Sequence, residues 1–165
     1  MLRFLELFYA WIRLAITFLA IVAGGAVLVM IAVTSVDILL RLFGTGIVGA
    51  YDIVRIMGVI AIAFSLPYVT AIKGHIAIEF FYHRFSRTGR VILDSSFRTI
   101  SVGVFLLLAW RNILYGIMLL QSNQVMQTLP IPVFWIPWMI SLSCVLMILT
   151  ITYHIFHPGK ELIKL

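Results

Sequence analysis

The stretch LAITFLAIVAGGAVLVMIAVTSV, Leu14 to Val36, carries no charge between Arg13 and Asp37. At about 1.5 Å of rise per residue it makes a helix slightly longer than the roughly 30 Å of bilayer hydrocarbon. It also exceeds the roughly 7 to 15 residues of a signal-peptide apolar region. Although Ala23, Gly24, Gly25 and Ala26 are small enough for a cleavage site, the segment reads as an uncleaved spanning helix. Working outward, three further stretches qualify, giving spans at about 14–36, 52–72, 97–120 and 132–153. The second is short and carries Arg55 near an interface. The third is interrupted by Arg111, and from Asn112 to Gly159 there is no Asp, Glu, Lys or Arg.

Composition agrees with this reading. The 165 residues are 63% hydrophobic and 11% charged, against roughly 25% charged in an average soluble domain. A water-soluble globule of this size would leave apolar surface wet at about 25 cal/mol per Å², so a bilayer must cover it. The net charge of +6 orients the loops of such a chain and is not a nucleic-acid footprint. Arg3 and Arg13 precede the first span, Lys73, Arg84, Arg87, Arg90 and Arg98 lie between the second and third, and Lys160 and Lys164 follow the fourth. Only Arg41 and Arg55 fall on the opposite side. The positive-inside rule therefore places both termini in the cytoplasm. Tyr9 and Trp11 mark the inner interface, and Phe134, Trp135 and Trp138 the outer one.

The expected fold is an all-α integral membrane domain of four transmembrane helices, residues 1–165, with an amphipathic interfacial helix between the second and third spans at about 75–94. On a 100° wheel Ile78, Phe81, Tyr82, Phe85, Ile92 and Leu93 share one side. Glu79, His83, Arg87, Arg90 and Asp94 share the other, while Phe80, Arg84 and Val91 fit poorly. Ser86 to Gly89 is expected to break or bend this segment. A solvated basic loop is the competing reading, weakened by the aromatic content.

Catalysis would need paired titratable groups, metal ligands or an activated nucleophile at one depth, and no such set assembles. The lone Cys144 cannot form an intrachain disulfide or a cysteine-rich metal site. A thiol oxidoreductase is thereby excluded. His75, His83, His154 and His157 fall at helix ends or in cytoplasmic segments, so they are poorly placed to face each other across a buried haem. His154 and His157 share a face but lack a third ligand. Neither a cofactor nor a metal is expected.

Asp37 with Arg41, and Asp52 with Arg55, have spacings that suit pairing on one helix face at the outer side. Exposed pairs contribute about 0 to 1 kcal/mol; the functional alternative is a polar contact surface. Arg111 lies about 15 to 20 Å along the helix from Gln121 and Arg98. An arginine there costs at least about 2.5 kcal/mol unless it snorkels or finds a partner. Pairing with Asp37 or Asp52, or contact with another subunit's helix, is expected. Pro67 and Pro137 are candidate kinks. Gly24, Gly25, Gly58, Gly103 and Gly116 permit close helix approach, without the four-residue glycine spacing of a dimer motif.

Several segments in order carry a family likeness. Asp37-Ile38-Leu39-Leu40-Arg41 ends the first span, and Tyr51-Asp52-Ile53-Val54-Arg55 opens the second. Lys73-Gly74-His75-Ile76-Ala77-Ile78-Glu79 follows it. Leu129-Pro130-Ile131-Pro132 and Phe134-Trp135-Ile136-Pro137-Trp138 introduce the last. Across essentially the whole chain the sequence resembles the small membrane subunit (DctQ/SiaQ type) of tripartite ATP-independent periplasmic (TRAP) transporters. The resemblance implies a non-enzymatic, non-translocating scaffold in a bacterial or archaeal cytoplasmic (inner) membrane. Its partners would be a large membrane subunit that moves an organic acid with sodium, and a periplasmic substrate-binding protein. Asp37, Arg41, Asp52, Arg55 and Arg111 are then candidate subunit or binding-protein contacts, and Lys73, His75 and Glu79 a cytoplasmic interfacial motif. The competing functions are a membrane anchor of a redox enzyme, which would bind haem or quinone, and a small multidrug carrier, which would need an intramembrane carboxylate.

Overall fold

A computed structural model gives the fold, with the backbone described for residues 2–72 and 87–156 and side chains for residues 9–72 and 96–155. Among the described residues there are four helices: α1 (Leu2–Leu42), α2 (Ala50–Ala71), α3 (Arg87–Gln121) and α4 (Trp135–Phe156). All four are long and apolar enough to cross a membrane. The chain is an all-helical, multi-pass membrane protein.

The helices persist because their own backbone bonds are satisfied inside them, as hydrocarbon requires. Their hydroxyls follow the same rule. Thr17, Thr34, Thr70, Thr150 and Thr152 each donate to the carbonyl four residues earlier, on Arg13, Met30, Leu66, Leu146 and Ile148. A hydroxyl satisfied in this way costs little in lipid.

The boundaries differ from the hydropathy pattern where local chemistry intervenes. α1 runs on through Arg13 back to Leu2, since nothing there breaks a helix. α4 begins at Trp135 rather than Pro132. The prolines at 130 and 132 fix φ and hold the residue between them extended, so this segment forms a short antiparallel bridge, Val125 with Pro132, instead of a helical turn. Pro137 consequently lies in the first turn of α4, where a missing N–H breaks no helical bond and no kink is required. Residues 87–121 form one helix, so from Arg87 onward the break expected at Ser86 to Gly89 is absent. The interfacial segment from 75 to 86 lies outside the described residues.

α1 packs along α2, α2 along α4, and α4 along α3. Ile12, Ile16 and Ala71 form one core cluster with Tyr9, Tyr68, Leu149 and Tyr153 around it. Ala23, Ala63 and Phe64 form another against Met139 and Ile140. The rings of Tyr9 and Tyr153 meet edge to face at 4.7 Å. The start of α1 and the end of α4 therefore share one end of the bundle. α3 packs extensively on α4 alone, with Ala109 and Gly116 at the contact.

Two polar contacts lock α4 in place. Pro67 has no N–H, so the carbonyl of Ala63 loses its donor within α2. The Ser143 hydroxyl of α4 donates to that oxygen. On the other side, Ser141 donates to the carbonyl of Ala109 in α3 at 3.2 Å. Gly116 lets the Trp138 indole lie directly on the α3 backbone: a Cβ there would sit 2.5 Å from Trp138 Cδ1, and nearer still to its Nε1.

Candidate functional site

The richest polar assembly is at the end of the bundle that carries the α1–α2 and α3–α4 connections. Asp37, one turn before the end of α1, accepts from Arg41 Nε at 2.7 Å and from the Ile47 amide at 2.8 Å. It thus ties its own helix to the connection that follows. That connection ends at Gly49, whose φ of 85° lies in the left-handed region. A Cβ on Gly49 would be 2.7 Å from Leu129 Cγ, so glycine serves both backbone and packing there.

Asp52 occupies the first turn of α2, where a carboxylate suits the positive end of the helix dipole. Its residue is fully buried. Oδ2 accepts from the Thr128 amide at 2.8 Å, the Thr128 hydroxyl at 2.5 Å and the Leu129 amide at 3.0 Å. Three donors from the α3–α4 connection thus converge on one oxygen, fixing the two connections to each other. The hairpin they anchor is closed by Met126 N–H to the Ile131 carbonyl at 3.0 Å and Val133 N–H to the Gln124 carbonyl at 3.1 Å. Asn123, with φ of 48°, leads the chain out of α3 and into this hairpin.

The structure brings Asp37 and Arg41 together as their spacing predicts. It does not place Asp52 in a salt bridge with Arg55. Thr128 and Leu129 take the carboxylate, because backbone amides already fixed by the hairpin lose no side-chain entropy when they bind it. Arg55 is left exposed, as is Arg41. Arg111 pairs with neither Asp37 nor Asp52; it is exposed on α3, some 15 Å of helix away from the loop end. Lys73, His75 and Glu79 lie outside the described residues.

Thr128 and Leu129 on Asp52, Leu129 on Gly49, and Ser143 on the carbonyl that Pro67 leaves open are partnerships no local spacing announces. The one available signal was Asp52 itself, an acid opening an apolar span, which requires donors from somewhere. At the opposite end Arg98 donates to the His154 carbonyl, a link between α3 and α4. Among the described residues no group of three or more His, Cys, Asp or Glu converges as metal ligands would.

The exterior contrasts with this polar end. Trp11, Phe18, Ile21 and Leu28 project from α1, and Ile100, Leu107, Leu114 and Met118 from α3, all exposed. A family model described as the DctQ component of tripartite ATP-independent periplasmic transporters matches residues 30–159. No curated protein and no solved structure matches the chain.

Proposed function

This chain belongs to the DctQ components of the tripartite ATP-independent periplasmic transporters, and from that premise we propose that it is the non-translocating scaffold of a sodium-coupled carrier for organic acids. It braces a large membrane subunit, helps dock a periplasmic substrate-binding protein, and resides in a bacterial or archaeal cytoplasmic membrane with both termini inside. The single observation that carries this reading is the state of its carboxylates. The two described acidic side chains, Asp37 and Asp52, are both at the loop end, and each accepts structural donors of its own chain, Asp37 through both oxygens and Asp52 through Oδ2. A carrier needs a group that changes partner during its cycle; these two hold connections still. The exposed apolar faces of α1 and α3 favour the same reading, since they are large enough to lie against another membrane protein as well as against lipid.

Reconstitution tests the proposal. Liposomes holding this polypeptide alone take up no labelled organic acid under a sodium gradient, whereas liposomes that also hold the large subunit do so when the binding protein is added. Uptake by the polypeptide alone refutes the scaffold role. Purification in mild detergent recovers the large subunit with it; recovery of a haem or flavin protein in its place favours the redox-anchor reading. For docking, Arg41→Glu with Arg55→Glu weakens binding-protein-dependent uptake without lowering the yield of the membrane complex. Unchanged uptake removes the docking role from these arginines.

A further inference from the structure

We infer that Arg111 is the recognition point for a carboxylate on a transmembrane helix of the large subunit, and that the outward face of α3 is the surface on which that helix lies. The inference rests on the scaffold reading above and names the chemistry of one of its contacts.

α3 turns Ala109 and Gly116 toward α4, where they meet Ser141 and Trp138. On a 100° wheel Ile100, Leu107, Leu114 and Met118 fall on the opposite side, and Arg111 falls among them. Each of these four residues is exposed, so the guanidinium interrupts an otherwise continuous apolar face. Its depth decides what can satisfy it. Snorkelling to the headgroups serves arginines near helix ends, whereas Arg111 is about 15 Å of helix from Gln121 and about 20 Å from Arg98. Among the described side chains its own chain offers no free counter-charge at that depth, because Asp37 is held by Arg41 and Ile47 and Asp52 is buried under Thr128 and Leu129. A second copy offers only those same occupied carboxylates among its described side chains. The counter-charge must therefore arrive sideways, on a different membrane helix. The guanidinium fork favours a carboxylate, which it can engage with two parallel bonds. Trp110 and Tyr115 flank Arg111 on the exposed surface, and tryptophan, tyrosine and arginine are the residues that dominate binding at interface centres.

The test uses the complex in native membranes. The large subunit is recovered with the wild-type chain, with Arg111→Gln and with Arg111→Lys, and a photo-crosslinking side chain replaces Leu107 in a fourth sample. Arg111→Gln is expected to lower recovery at least tenfold while inserting as well as wild type, and Arg111→Lys, which keeps the charge but loses the paired bonds, to fall between the two. The crosslinker is expected to capture a large-subunit helix that carries an Asp or Glu at matching depth. Equal recovery with Arg111→Gln overturns the inference, as does crosslinking confined to lipid or to a second copy. If the wild-type chain itself recovers no large subunit, the scaffold reading has failed; if wild type recovers it and Arg111→Gln does so equally well, only the role of Arg111 has.

Discussion

Ser143→Ala in α4 probes the contact that most directly joins sequence to packing. Pro67 removes the amide that would serve the Ala63 carbonyl, and Ser143 supplies the replacement from another helix. Both Ala63 and Ser143 are buried, at 5% and 2% exposure, so no water takes over when the hydroxyl is removed. Leaving a buried acceptor unsatisfied costs about 1–3 kcal/mol. Interhelical bonds in membrane proteins average about 0.6 and reach about 1.7 kcal/mol. A loss of about 1–2 kcal/mol is therefore expected with Pro67 in place. In a Pro67→Ala background the amide of residue 67 returns to its own helix and serves the same carbonyl. Ser143→Ala should then cost no more than about 0.5 kcal/mol, within the usual additivity of independent sites. The four chains are compared by titrating SDS into mild-detergent micelles and following tryptophan fluorescence. The predicted coupling is about 0.5–2 kcal/mol. Equal costs in the two backgrounds would show that Ser143 does not substitute for the missing amide, and would falsify the account of how α2 tolerates its proline.

Three further outcomes follow from the same geometry. Gly116→Ala drives a Cβ into Trp138 and to 3.1 Å from the Phe134 carbonyl, so it should destabilise the α3–α4 pair by about 1–3 kcal/mol. Gly103→Ala on the same helix meets nothing within 4 Å and should be neutral or stabilising in the same titration; matching results for the two would remove the close-approach role of Gly116. Gly49→Ala places a side chain at φ of 85° and against Leu129, with an expected loss of about 1–3 kcal/mol. Adding Leu129→Ala should return the packing part, and no recovery would mean that backbone strain alone is responsible. Asp52→Ala should speed hydrogen exchange at the Thr128 and Leu129 amides, while Arg55→Gln leaves both protected. Unchanged protection in Asp52→Ala would show that the hairpin holds itself without the carboxylate.

The polar end of the bundle shows what spacing can and cannot reveal. Asp37 and Arg41 share a helix, so their separation along the chain is also their separation in space, and the ion pair was legible. Asp52 and Arg55 have an equally favourable spacing, yet the acid is taken by Thr128, 76 residues away. Nothing about a threonine in an uncharged connection marks it as a partner, because its amide and hydroxyl acquire a direction only when the hairpin from Gln124 to Val133 forms. Pro137 misled in the opposite direction. Its place in an apolar span predicts a kink, whereas the prolines at 130 and 132 displace the start of α4 and leave it in a first turn.

By itself the sequence determined that this chain has four stretches long and apolar enough to cross a membrane, because the cost of wetting apolar side chains depends on how many occur in a row and hardly on what they later touch. It also singled out Arg111 as a charge at depth, from counting along one helix. Only the tertiary structure decided that α4 lies between α2 and α3, that Ser143 serves the carbonyl Pro67 leaves open, and that Arg111 faces away from its own bundle. Those outcomes depend on which sides of different helices meet. Lipid and protein are about equally apolar to a leucine, so the choice of neighbours falls to small residues and a few polar atoms whose partners lie far away in the chain.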